Sequence, residues 1–150
     1  MSEITLLEAV HQDIRKLISL EKDASNEKTY SAMLTEKDWL EEFRKSKVFF
    51  IVYEQNIVGE LSYEVKDSNE IYISGILVLK EFRGLGIARK VLSDLLNEYS
   101  KYNFSLVTHP DNPAVFLYQS LGFSILERIE NYFGDGEPRL KLFLSREGSK

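Results

Sequence analysis

The sequence contains no cysteine, and that absence removes disulfides, thiolate zinc sites and a cysteine nucleophile together. Two histidines remain as soft metal ligands, so no metal site is expected. No run approaches the roughly 18 apolar residues that a membrane-spanning helix needs. The opening "MSEITLLEAV" also lacks the basic-then-apolar pattern of a secretory signal. The expected setting is the cytoplasm, away from membranes, with the whole chain as the mature protein. A basic stripe is missing too. The formal net charge is −5, and phosphate backbones are gripped by clustered Lys and Arg, so a nucleic-acid partner is not expected. A cationic partner is tolerated. There is neither an internal repeat nor a low-complexity linker, and "SREGSK" reads as a frayed tail.

What is present is enough apolar surface for one core. A chain of 150 residues, 43% hydrophobic and 12% aromatic, suits a single domain, 1–150, and is too short for two ordinary ones. "ITLLEAV" predicts a strand. Ile14, Leu17, Ile18 and Leu20 recur at helical spacing, and "TEKDWLEEFRKS" follows with Thr35 as cap and Trp39, Leu40 and Phe43 on one face. "KVFFIVYE" and "IVGELSYEV", separated by "QN", predict a hairpin. "EIYISGILVL" after "KDSN" adds a third strand to the meander. "IARKVLSDLLNEYS" puts Ile87, Val91, Leu92, Leu95, Leu96 and Tyr99 on one helical face. "FSLVTH", a short helix from Pro113, "FSILERI" and "RLKLFL" complete the order β α α β β β α β α β β. That is an α+β, sandwich-like class: a mixed, mostly antiparallel sheet of about seven strands flanked by about four helices.

The stretch "EFRGLGIARK" spends two glycines between a strand and a helix. A helix N-terminus leaves N–H groups unpaired and carries partial positive charge, so it receives phosphate where no side chain intervenes. Gly84, Gly86 and Ala88 give that clearance, and Arg83 adds a cation; a tight turn alone is the plainer alternative. Arg89 breaks the dinucleotide pattern G-x-G-x-x-G, the next strand ends in Thr108 and His109 rather than an acid, and no G-K-[ST] follows. The phosphate therefore belongs to neither a dinucleotide nor a nucleoside triphosphate.

A second stretch, "DNPAVFLYQSLGF", follows at the distance of one helix and one strand. Together with "VLKEFRGLGIA" it resembles the GNAT superfamily of acyl-CoA-dependent N-acetyltransferases. The loop pattern R/Q-x-x-G-x-G/A is matched by Arg83, Gly86 and Ala88, and the second part by Asn112, Ala114, Tyr118, Gly122 and Phe123. The resemblance is good from about Val48 to Leu144 and only outline before that. It implies a GNAT fold and acetyl-CoA as co-substrate, with the pyrophosphate held by Arg83, Gly84, Leu85, Gly86, Ile87 and Ala88. The pantetheine arm would pair with the main chain of Ile76, Leu77 and Val78, an amide near Leu77 would polarise the thioester carbonyl, and Asn112 would lie close by. Asn112 can equally be an N-cap before Pro113.

Tyr118 is implied as the general acid, since a tyrosine of reference pKa about 10 can protonate a departing thiolate whose acid has a pKa of about 8.5; packing of the short helix is its alternative. The base is open. Many family members carry a glutamate six residues before the position of Val78, where this chain has Tyr72, and others a glutamate or histidine five before the asparagine, where it has Val107. Tyr72 is carried as a catalytic candidate through a relayed water, beside Glu60, Glu70, Ser74 and His109. "ENYFGDGEPRLKLF" resembles the C-terminal segment of small family members, which implies Asp135 and Glu137 near the acceptor mouth; an Asp- and Gly-rich hairpin turn is the alternative. The partner expected is a primary amine, of a small molecule or a peptide N-terminus, with a homodimer left open. A non-catalytic acyl-CoA-binding module is the second reading, because Tyr72 and Val107 depart from the usual bases.

Overall fold

The computed structural model describes residues 3–67 and 69–146. Met1 and Ser2, Ser68 of the "KDSN" turn, and the last four residues of the tail lie outside the described residues. The chain runs β1 (Ile4–Glu8), α1 (Ile14–Lys22), α2 (Glu36–Lys45), β2 (Lys47–Tyr53), β3 (Asn56–Lys66), β4 (Glu70–Val78), α3 (Ile87–Glu98), β5 (Asn103–Thr108), α4 (Ala114–Ser120), β6 (Ser124–Ile129) and β7 (Arg139–Leu144). This is the order that the sequence pattern predicts. The strands make one sheet in the order β1-β2-β3-β4-β5-β7-β6. β1 to β4 form an antiparallel meander. β5 joins β4 in parallel, which requires a crossover, and α3 supplies it. β7 inserts between β5 and β6, antiparallel to both.

Period-two alternation sorts the core into two layers. In β2, Val48 and Phe50 pack with Leu17 of α1 and Trp39 of α2, whereas Phe49 and Ile51 pack with Val91, Leu92 and Leu95 of α3. α4 joins the second layer through Val115 and Tyr118. Three local expectations are corrected. Leu40 is 39% exposed, because the buried face of α2 runs through Trp39 and Glu42 instead. The β2–β3 turn is centred on Glu54 and Gln55, both at positive φ, so Asn56 already belongs to β3; two positive φ values are what a two-residue hairpin turn demands. The tail is pinned at its start, where the Arg146 amide donates to Asn103 Oδ1 at 2.7 Å and its guanidinium to Leu96 O at 3.0 Å.

The feature that positions a site is where β4 and β5 part. They pair from Glu70↔Asn103 to Ile73↔Leu106 and no further, although β4 continues to Val78 and β5 to Thr108. At the same point Ser62 faces Gly75 while Tyr63 faces Ile73, so Ser74 has no opposite residue on β3. Such a bulge bends the strand that carries it and increases its twist. On its other side β4 is drawn close to β3: a Cβ at Gly59 would stand 2.0 Å from the Leu77 carbonyl oxygen. Only glycine permits that approach.

Gly59→Ala is expected to lower stability by about 2–3 kcal/mol, since the clash is with backbone that cannot rotate away. Gly75→Ala, whose Cβ would meet Ser62 Oγ at 3.4 Å, serves as the tolerated control. Urea unfolding of both checks this, and equal midpoints would mean that β4 can withdraw from β3 freely.

Candidate active site

The open strand pair exposes main chain. A hydrogen-bonded residue in an antiparallel pair turns both its N–H and its C=O to the same neighbour. The Leu77 carbonyl points at β3, and the Leu79 amide donates to Val58 O at 2.8 Å, so the polar groups of Ile76 and Val78 face the gap. Leu77 is thus the exception among the three strand residues expected to offer main chain: its own amide faces β3, and its side chain is buried in the layer of Trp39. The Val78 carbonyl already accepts from Arg83 Nε at 3.0 Å.

Past Val78 the groove runs along the glycine loop to the start of α3. Gly84 and Gly86 sit at φ +82 and +80, and a Cβ on either would meet nothing within 4 Å. The glycines therefore serve backbone conformation and leave open space before the helix. Gly86 is the N-cap of α3, and no side chain caps its amides. An uncapped helix N-terminus of 12 residues, flanked by clear space, fits a pyrophosphate. Arg83, Gly84, Gly86, Ile87 and Ala88 line this groove, as does Arg89, which sequence reasoning noted only as a break in another motif. Leu85 does not line it and is 55% exposed. Arg83 is paired with Glu27 of the α1–α2 loop at 3.1 Å.

α4 brings the remaining groups to the junction. Asn112 Oδ1 accepts the Ala114 amide at 2.9 Å, which is the capping role, and Asn112 also lines the clefts on both sides of the gap. Tyr118 lines both clefts too and is 6% exposed. It packs edge-to-face on Phe123 with ring centroids 6.0 Å apart, and burial pushes its hydroxyl pKa up to about 12. It has no hydrogen-bond partner among the described residues.

Beyond the junction from the glycine loop lies a cavity of about 270 Å³. Its walls include Tyr72, Ser74 and Glu60, and also Glu42, Tyr30 and Phe133, which sequence reasoning missed. Glu42 and Tyr30 arrive from the helical region whose resemblance is faintest, and a carboxylate on the buried face of a helix was the available signal. Ser74 Oγ donates to Glu42 Oε2 at 2.5 Å. Burial, then the nearby Tyr132, Glu42 and Glu64, push the Tyr72 pKa up to about 12, so its hydroxyl keeps its proton at neutral pH. Burial first, then contact with Glu21 and the charge of Glu42, raise the Glu60 pKa well above the carboxylate range.

The other candidates are engaged by other groups, although His109 also lines this cavity. Glu70 accepts from Ser105 Oγ at 2.6 Å, at the closed end of β4, and lines neither cleft. His109 accepts the Asp111 amide at Nδ1, so in the neutral ring Nε2 carries the proton and donates to Glu137 Oε1 at 2.7 Å. That bond, and the Glu137 amide and Arg139 at Asp135, hold both carboxyl pKa values below their ordinary range. Asp135 and Glu137, expected near the acceptor mouth, are each engaged within the fold, Asp135 with the buried Arg139 and Glu137 with His109.

The sequence model of the Acetyltransferase (GNAT) family matches residues 9–123. The chain belongs to that family and is a GNAT acetyltransferase domain. Among solved structures it is similar to the ribosomal-protein-S18-alanine N-acetyltransferase of Escherichia coli, at 18% identity and a TM-score of 0.78, over 100% of this chain and 99% of that one. It is also similar to Arabidopsis thaliana Naa50 in complex with the bisubstrate analogue CoA-Ac-MVNAL, at 19% identity and a TM-score of 0.74, over 95% and 98%. Among curated proteins, 85 residues are 31% identical to the Cysteine-rich protein 2-binding protein of Mus musculus, which is 55% of this chain and 11% of that protein. The chain thus spans about a tenth of that relative's length.

Two measurements follow from this geometry. Arg89→Glu removes an exposed cation and puts a carboxylate in the first turn of α3, which the helix itself tolerates. The Kd for acetyl-CoA should rise about tenfold or more while Tm stays within a few degrees, and an unchanged Kd would take the phosphate from this groove. For Glu60 the native pKa lies above the unfolded one, so the folded chain holds the extra proton. Its stability should fall as pH rises from the ordinary carboxyl range through the raised value. Glu60→Gln should flatten that part of a Tm-against-pH profile.

Proposed function

We propose that this domain, 1–150, transfers acetyl from acetyl-CoA directly to a primary amine, of a small molecule or of a peptide or protein N-terminus, in the cytoplasm. The observation that carries the reading is Tyr118: a buried phenol that lines both a cavity with carboxyl walls and the cleft beside the gap, which reaches Arg83 and Ala88 of the glycine-loop groove. Bound acetyl-CoA supplies an activated thioester. Gly84, Gly86, Ile87 and Ala88 would hold its pyrophosphate, with Arg83 and Arg89 adding charge. The main chain of Ile76 and Val78 would align the arm in the gap, and an N–H there would stabilise negative charge on the carbonyl oxygen.

Burial keeps the Tyr118 phenol protonated at neutral pH, so the donor is always loaded. The same burial makes it a weak acid, and it releases its proton as charge builds on the leaving sulfur. The second reading, a module without a base, rested on Tyr72 and Val107; a buried carboxyl in the acceptor cavity weighs against it. A peptide acceptor is supported by likeness to structures whose names specify a ribosomal-protein alanine and a peptide-bearing analogue. A small amine is supported by likeness to a spermidine N-acetyltransferase chimera.

Tyr118→Phe should lose about 10²-fold in kcat, the usual scale for a positioned acid, with acetyl-CoA affinity unchanged. Steady-state rates with a responsive amine, paired with calorimetric titration, check this. Equal rates under conditions where chemistry limits would return Tyr118 to packing.

A further inference from the structure

Glu60 is 4% exposed and lines the acceptor cavity. Its surroundings say what charge that cavity would receive. Glu21, fully buried on α1, lies within hydrogen-bonding reach of Glu60, and its own oxygens take the Tyr30 hydroxyl and the Met33 amide, each at 2.7 Å. Glu42 comes from α2, its carboxylate held by Ser74. The titratable groups on the remaining sides are Tyr30 of the α1–α2 loop, Tyr72 of β4, His109 after β5 and Tyr118 of α4. The cations lining the cavity are Lys45 and Arg139, and neither is among the groups acting on Glu60. Among the described residues no group of such side chains is arranged to hold a metal ion.

Three carboxyl groups so placed cannot all ionise without a cation between them. We propose that Glu60 is the proton acceptor of the transfer: the acceptor docks as an ammonium ion in the cavity that Glu60 and Glu42 line, and gives the Glu60 carboxylate a proton as its nitrogen attacks. The proposal rests on the acetyltransferase reading above and supplies the base it leaves open. With the cavity empty, Glu60 keeps its proton, because burial and its neighbours oppose its charge. An arriving ammonium brings the missing positive charge and displaces that proton to solvent. The C–N bond then forms as the C–S bond breaks. Of the three ammonium protons, one goes to Glu60, one stays on the amide nitrogen, and one restores to Tyr118 the proton given to sulfur. Glu21 touches no substrate. It is a positioning residue that sets the pH at which Glu60 can accept.

The experiment is the pH profile of kcat/KM for the full chain with acetyl-CoA and, in turn, n-butylamine, 1,4-diaminobutane and a short peptide with a free α-amine. Glu60→Gln should lower kcat/KM about 10²-fold and remove the low-pH limb, with acetyl-CoA affinity unchanged. Glu60→Asp should recover part of the rate and the limb. Glu21→Gln removes a neighbour that raises the Glu60 pKa, so the limb should move to lower pH. If Glu60→Gln does not fold, the Glu21→Gln limb decides, and a limb that stays in place overturns the proposal. An unmodified protein that transfers acetyl while Glu60→Gln matches it at every pH overturns this proposal alone. An unmodified protein that transfers to none of these amines overturns the acetyltransferase reading as well.

Discussion

The rest of the molecule is arranged around a sheet that is not allowed to close. β4 and β5 begin as an ordinary parallel pair and separate after Ile73. Buried backbone N–H and C=O groups are nearly always paired, so an open edge inside a sheet is retained where something else supplies the partners. Two devices hold the gap. The bulge at Ser74 turns β4 away from β5, and the close approach at Gly59 ties the turned segment to β3. The first directs the strand and the second prevents it from drifting back.

Charge is distributed along the line of this gap. At one end the uncapped N-terminus of α3, with Arg83 and Arg89, collects positive potential. On the other side Glu42 and the buried carboxyl of Glu60, which burial and its neighbours keep protonated, line the cavity. Tyr118, uncharged and buried, stands between them. The basic groups and the carboxyls thus lie on opposite sides of one junction. The carboxylates expected near the acceptor mouth, Asp135 and Glu137, brace the last loop through Arg139 and His109.

The elements were legible because they rest on local physics. Helical spacing marked α3, alternation marked β2 to β4, and the Thr35 cap receives the Asp38 amide at 3.1 Å as its residue type suggested. The glycine loop was legible for a similar reason, since positive φ and a following helix leave a signature in a few consecutive residues. Leu40 was misread because a single turn of helix can face the core on either of two neighbouring stripes, and Glu42 occupies the one that is buried.

By itself the sequence determined the order of strands and helices, the glycine loop and uncapped start of α3, and the presence of a tyrosine on a short helix after β5 with an asparagine just before it. These are contiguous patterns whose chemistry needs no distant partner. Tertiary structure alone decided which carboxyl enters the cavity beyond the junction. Glu21, Glu42 and Glu60 belong to three elements and meet because α1 and α2 pack over β3, while Glu70 falls at the closed end of its strand and His109 is saturated by Asp111 and Glu137. A carboxyl's reactivity depends on burial and on charges brought from elsewhere in the chain, and neither is written at its own position.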